Sequence, residues 1–113
     1  MTQVLNSPKV THLNVIQNEF AFYQKNAFPS REPAFFALEL AGECGELANL
    51  EKKIWRDPSS FTQMDKLADE AADVFIALIN YCNSREINLE LSVEKKLAEI
   101  EKRRISGKMG KTK

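Results

Sequence analysis

The segment "ELAGECGELANLEKKIW", Glu39 to Trp55, constrains this chain more than any other. At about 100° per residue it winds into a helix whose apolar stripe is Phe36, Leu40, Leu47, Leu50 and Ile54. Glu43 falls in the middle of that stripe, with Glu39 and Glu46 on its flank. A carboxylate among leucines is costly unless it is protonated, paired or bound to a cation. Spacings of three and four residues also set like charges side by side, which costs about 0.2–0.5 kcal/mol per pair even in water.

Around this segment the periodicity is helical. Leu13, Ile16, Phe20 and Tyr23 predict a first helix over about 11–26. "FPSREP" interrupts it; Ser30 is a candidate N-cap, and Pro33 suits a first turn that has no amide to lose. The second helix then runs to about Arg56, before "DPSS". Thr62 and Asp65 approximate a capping box for a third helix reaching about Arg85, and Asn88 is placed to cap a fourth with a Leu89, Val93, Leu97, Ile100 stripe. The expected fold is all-α, a four-helix bundle over residues 11–105, with a loose arm at 1–10 and a polar tail at 106–113. Met64, Leu67, Ala71, Val74, Phe75, Leu78, Ile79 and Cys82 spread apolar surface around most of the third helix, so completion of the bundle by self-association is expected.

Sixteen Lys+Arg balance sixteen Asp+Glu in 113 residues, which argues against nucleic acid or an anionic membrane as partner. Cys44 and Cys82 lie in apolar helical segments without CxxC spacing and read as buried thiols, in keeping with a reducing cytoplasm. No apolar run approaches the roughly 20 residues of a membrane span, and the start lacks a signal-peptide layout.

The third helix carries a second acidic set, Asp69, Glu70 and Asp73, on a polar strip that continues to Asn80. If the two acidic faces meet, the simplest compensation is a divalent cation; a solvated or salt-bridged cluster is the alternative. Lys53 stands on the Glu46 edge but cannot neutralise three glutamates. Oxygen donors without imidazole or thiolate suit Mg²⁺, or Mn²⁺ as a substitute, whereas a di-iron bundle would want Glu-x-x-His pairs and the only histidine is His12.

Glu-x-x-Glu at Glu43 and Glu46, followed after 23 residues by Glu-x-x-Asp at Glu70 and Asp73, resembles the MazG-like all-α nucleoside triphosphate pyrophosphohydrolases. That superfamily includes dimeric dUTPases, dCTP pyrophosphatases and phosphoribosyl-ATP pyrophosphohydrolase. The similarity spans roughly 29–104 and includes "INLELSVEKKLAEIEKR", which resembles the family's closing helix. The resemblance implies Mg²⁺ held by Glu43, Glu46, Glu70 and Asp73, and phosphate contacts from Lys96 and Arg103. Relatives often carry asparagine where this chain has Ile100, and small or apolar residues at the position of Glu39. Glu39 therefore reads as a supporting acid behind the ligands or as an extra ligand.

The implied reaction is hydrolysis of a nucleoside triphosphate to monophosphate and pyrophosphate, the family's usual means of clearing unwanted nucleotides. A metal-bound water would attack in line, with Glu43 or Glu46 a possible base. Lys53 and Asn80 join Lys96 and Arg103 as candidate substrate contacts, and Phe28, Phe35, Phe36 and Trp55 are near enough to offer a stacking surface or simply core. The resemblance also implies a homodimer or homotetramer. Two other readings are a phosphoribosyl-nucleotide pyrophosphohydrolase and a non-catalytic helical dimer that binds a basic partner through an acidic groove.

Overall fold

The computed structural model describes residues 7, 8, 10–60 and 64–107. Within them lie four α-helices and one short turn of 3-10 helix: α1 Leu13–Ala27, α2 Pro33–Arg56, the turn Pro58–Ser60, α3 Met64–Ser84 and α4 Leu89–Ser106. There is no strand among the described residues, so the fold is all-α as the periodicity predicts. Thr62 of the expected capping box and most of the expected arm and tail lie outside the described residues.

The helix ends follow local chemistry. Pro33 occupies the first turn of α2, but the N-cap residue is Glu32, whose side chain caps nothing, rather than Ser30. Asn88 does cap α4: its Oδ1 accepts from the Leu91 amide at 3.0 Å. Gly107 closes the same helix at φ 80°, a left-handed conformation that glycine adopts without steric cost. The start of α1 is capped from a distance. His12 is left-handed and contributes no side-chain bond; instead Glu90 of α4 accepts from the Asn14 amide at 3.1 Å, and Glu94 accepts from the Val10 amide at 3.2 Å. The Glu90 carboxylate thus meets the positive end of the α1 dipole, while Glu94 holds the segment just before the helix.

Helices α2 and α3 form the central antiparallel pair, with α1 packed on α3 and α4 leaning on α1. The buried apolar residues of the pair are Phe36, Leu50 and Ile54 on α2 and Ala77, Ile79 and Cys82 on α3. Phe20 of α1 meets Phe75 of α3 edge to face, with ring centroids 6.2 Å apart. Leu40 and Leu47 of the predicted α2 stripe are half-buried, whereas Tyr23 of the predicted α1 stripe is exposed. Of the two cysteines only Cys82 is buried; Cys44 is exposed, a correction to the expectation, because it stands about 100° away from Glu43 on the helix and so off the stripe.

The chain is elongated, 53 × 41 × 23 Å, with a radius of gyration of 17.5 Å. A compact domain of this length has a radius of about 13 Å. Phe22, Leu38, Trp55 and Leu91 are correspondingly exposed, each by more than half of its surface.

Candidate functional site

The antiparallel register of α2 and α3 brings their acidic turns opposite one another. One carboxylate oxygen from each of Glu43, Glu46 and Glu70 lies within 4.8 Å of the other two. Glu43 and Glu70 are half-buried and Glu46 is exposed, so the group opens to solvent on one side. The Oε1 atoms of both Glu43 and Glu70 are covered and have no hydrogen-bond partner. Covered, unpaired carboxylate oxygens are costly, and two of them in one cluster of acids call for a partner.

The electrostatics agree. Burial raises the Glu43 pKa above its ordinary 4.5, and Asp73, Glu46, Glu39 and Asp69 raise it further. Burial likewise raises Glu70, followed by the charge of Glu46, a hydrogen bond shared with it, and the charges of Asp73 and Glu43. Every charge acting appreciably on these two groups is another carboxylate. A hard divalent cation fits this donor set: it would take the oxygens the protein leaves unpaired, offset the mutual repulsion and leave room for water and a ligand.

Asp73 is one turn beyond Glu70 and acts on both raised glutamates, but the tight group of three does not include it. Glu39 is also outside that group; it lies one turn before Glu43 and lines a cavity formed by α1, α2 and α3. This cavity, about 490 Å³, has Phe20, Tyr23, Phe28, Phe35 and Phe36 among its walls and Asn80 at its α3 side. Arg31 sits over the Phe35 ring, 4.7 Å from its centroid. The size falls within the range of small-ligand sites, about 300–1,000 Å³.

Of the aromatic residues singled out in the sequence, Phe28, Phe35 and Phe36 line this cavity; Trp55 does not, and is 77% exposed. The predicted cations are not brought to the acids. Lys96 and Arg103 both pair with Glu99 on the exposed side of α4, at 2.9 and 3.0 Å. Lys53 is exposed and forms no ion pair among the described residues. Sequence reasoning missed the contribution of α1 and Arg31 to the cavity. Phe20 and Tyr23 signal only an apolar helix face, and nothing local says that the face is left partly open.

The structure is an all-α scaffold that gathers carboxylates beside an aromatic cavity. The model of the MazG nucleotide pyrophosphohydrolase domain matches residues 31–106, and the chain belongs to that family. Its general activity is hydrolysis of a phosphoric anhydride in a nucleotide. No curated protein and no solved structure matches the chain. The matched span takes in α2, α3 and α4, and therefore every residue of the acidic group.

Proposed function

We propose that this protein hydrolyses a nucleoside triphosphate to the monophosphate and pyrophosphate in a Mg²⁺-dependent reaction, so removing that triphosphate from the nucleotide pool. The observation that carries this reading is the convergence of Glu43, Glu46 and Glu70 with two covered, unpartnered oxygens. Glu43, Glu46 and Glu70 would hold the cation, with Asp73 completing the set from the next turn of α3. Mg²⁺ bound there supplies positive charge for the phosphate oxygens and acidifies a coordinated water.

The chain's own part is to position and to exclude. Glu43 and Glu70 are fixed by the α2–α3 core, so their carboxylates are held in place before ligand arrives. Glu46, the exposed member, is the acid best placed to accept a proton from an attacking water, because its carboxylate is the one open to solvent. The aromatic cavity next to the acids offers the substrate's base an apolar, stackable surface.

The functional unit in this reading is a homodimer or homotetramer. Its support is the 17.5 Å radius of gyration and the unburied apolar residues on several helices, a surface a second copy would cover. Lys96 and Arg103 point to the same conclusion: they could serve a phosphate only where assembly brings α4 of one chain to the acids of another.

Hydrolysis of a panel of ribo- and deoxyribonucleoside triphosphates, with and without Mg²⁺, tests the reaction. Metal-dependent monophosphate plus pyrophosphate is the expected product pair. Diphosphate plus phosphate would move the cleaved bond and refute it. Turnover of a phosphoribosyl nucleotide alone would transfer the activity to that substrate class.

A further inference from the structure

Along α2 the residues at the acidic group and the cavity follow a fixed order: Glu46 and Glu43 at the acidic group, then Glu39, then Phe36 and Phe35, with Arg31 in the segment just before the helix. At a rise of about 1.5 Å per residue, Glu39 stands about 6 Å from Glu43 and about 5 Å from the two phenylalanines. A nucleotide has the same linear order of phosphate, sugar and base. With phosphates at the acids and the base among the aromatics, the group that reaches Glu39 is the sugar.

Glu39 is suited to that position chemically. It lines the cavity but lies outside the group of three carboxylates, and it makes no hydrogen bond or ion pair among the described residues. An ionised carboxylate only accepts hydrogen bonds. Phosphate oxygens and base carbonyls offer it nothing; base N–H groups are donors, but the order along α2 puts the base beyond Glu39 among the aromatics, which leaves the sugar hydroxyls as the donors within reach. Acidic side chains read ribose hydroxyls in this way in dinucleotide-binding folds. An uncompensated acid beside three others adds repulsion that the fold does not need, so a ligand contact gives it a reason to be there.

We propose that Glu39 is a specificity-determining residue that accepts hydrogen bonds from the sugar hydroxyls of the bound nucleotide, with the nucleoside seated in the α1–α2–α3 cavity. This rests on the nucleotide reading of the site and deepens it.

The test compares adenosine and uridine triphosphates with their 2′-deoxy and 2′,3′-dideoxy forms, on the wild type, Glu39→Ala and Glu39→Gln. A hydrogen bond to a charged group corresponds to about a tenfold to hundredfold preference in kcat/KM for the hydroxyl-bearing sugar. The expected result is a preference of that size in the wild type, its collapse to within about twofold in Glu39→Ala, and its partial return in Glu39→Gln, whose amide oxygen still accepts. The 2′-deoxy series then identifies which hydroxyl is read. Equal use of ribo and dideoxy substrates by the wild type overturns the proposal. So does a preference that survives in Glu39→Ala, or a change that follows the base instead of the sugar. Calorimetric binding of the corresponding ribo- and dideoxynucleoside monophosphates reads the same contact without turnover. If the wild type hydrolyses nothing, the proposed reaction fails, and the binding ratio still decides the role of Glu39. As Glu39 is exposed on an open helix face, both variants are expected to fold, which helical content and melting temperature would verify.

Discussion

Gln17 and Asn83 hold each other in both directions: Gln17 Nε2 donates to Asn83 Oδ1 at 3.0 Å, and Asn83 Nδ2 donates to the Gln17 carbonyl at 2.9 Å. Gln17 Nε2 also donates to the Ile87 carbonyl at 2.9 Å, and its Oε1 accepts from the Leu89 amide at 3.0 Å. One buried side chain thus ties α1 to the end of α3 and to the first residue of α4. It satisfies backbone groups in the turn that the helices themselves leave open.

Replacing Gln17 by leucine keeps the bulk and the Asn83 bond to the main-chain carbonyl, but leaves Asn83 Oδ1, the Ile87 carbonyl and the Leu89 amide without the Gln17 side chain. The expected cost is about 1–3 kcal/mol, read as a lower midpoint in urea unfolding. An unchanged midpoint would mean that water takes over the bonds and that the clamp adds nothing.

Glu43→Gln and Glu70→Gln each replace a carboxylate by a neutral amide at the acidic group, where one oxygen of each residue is covered and unpaired. Turnover is expected to fall by more than about a hundredfold in either, since even residues that only orient ligands cost 10–100-fold. Circular dichroism should show the helices intact. A variant that keeps wild-type rates would exclude its residue from the site.

Mg²⁺ should stabilise the wild type and not these variants. A cation at a hundred times its dissociation constant adds about 2.7 kcal/mol through linkage. Thermal melts with Mg²⁺ and with a chelator measure this directly, and equal melting temperatures would count against a cation site.

The raised pKa values of Glu43 and Glu70 set the sign of a pH effect in the metal-free protein. Their folded forms hold protons more tightly than the unfolded chain, so their contribution is favourable below the ordinary value of 4.5 and is lost as pH rises through the raised folded values. Relative to the wild type, Glu43→Gln should therefore gain stability as pH increases above 4.5 without metal. Parallel pH profiles for the two proteins would show that Glu43 is not strained.

Self-association is checked by light scattering. The expected mass is two or four times 12.9 kDa, with a melting temperature that falls on dilution. A monomer with an undiluted melting temperature would require the exposed apolar residues to be covered some other way.

Much of this architecture was legible in the sequence because helices are local. The 3.6-residue period placed all four helices, Asn88 announced the α4 cap, and Glu43 on the α2 stripe marked the acidic centre before any contact was known. That Glu43 and Glu46 belong with Glu70 and Asp73 was implied by the family resemblance and not by the period; the structure gathers Glu43, Glu46 and Glu70 and leaves Asp73 outside the tight group. What depended on the tertiary structure was everything made between distant helices. The period of α1 cannot say that Phe20 and Tyr23 edge a cavity with Phe36, that Gln17 reaches the α3–α4 turn, or that Glu90 caps α1 from α4. Nor could it assign Lys96 and Arg103 to Glu99, because a helix fixes which side chains share a face while the approach of other helices decides what that face meets.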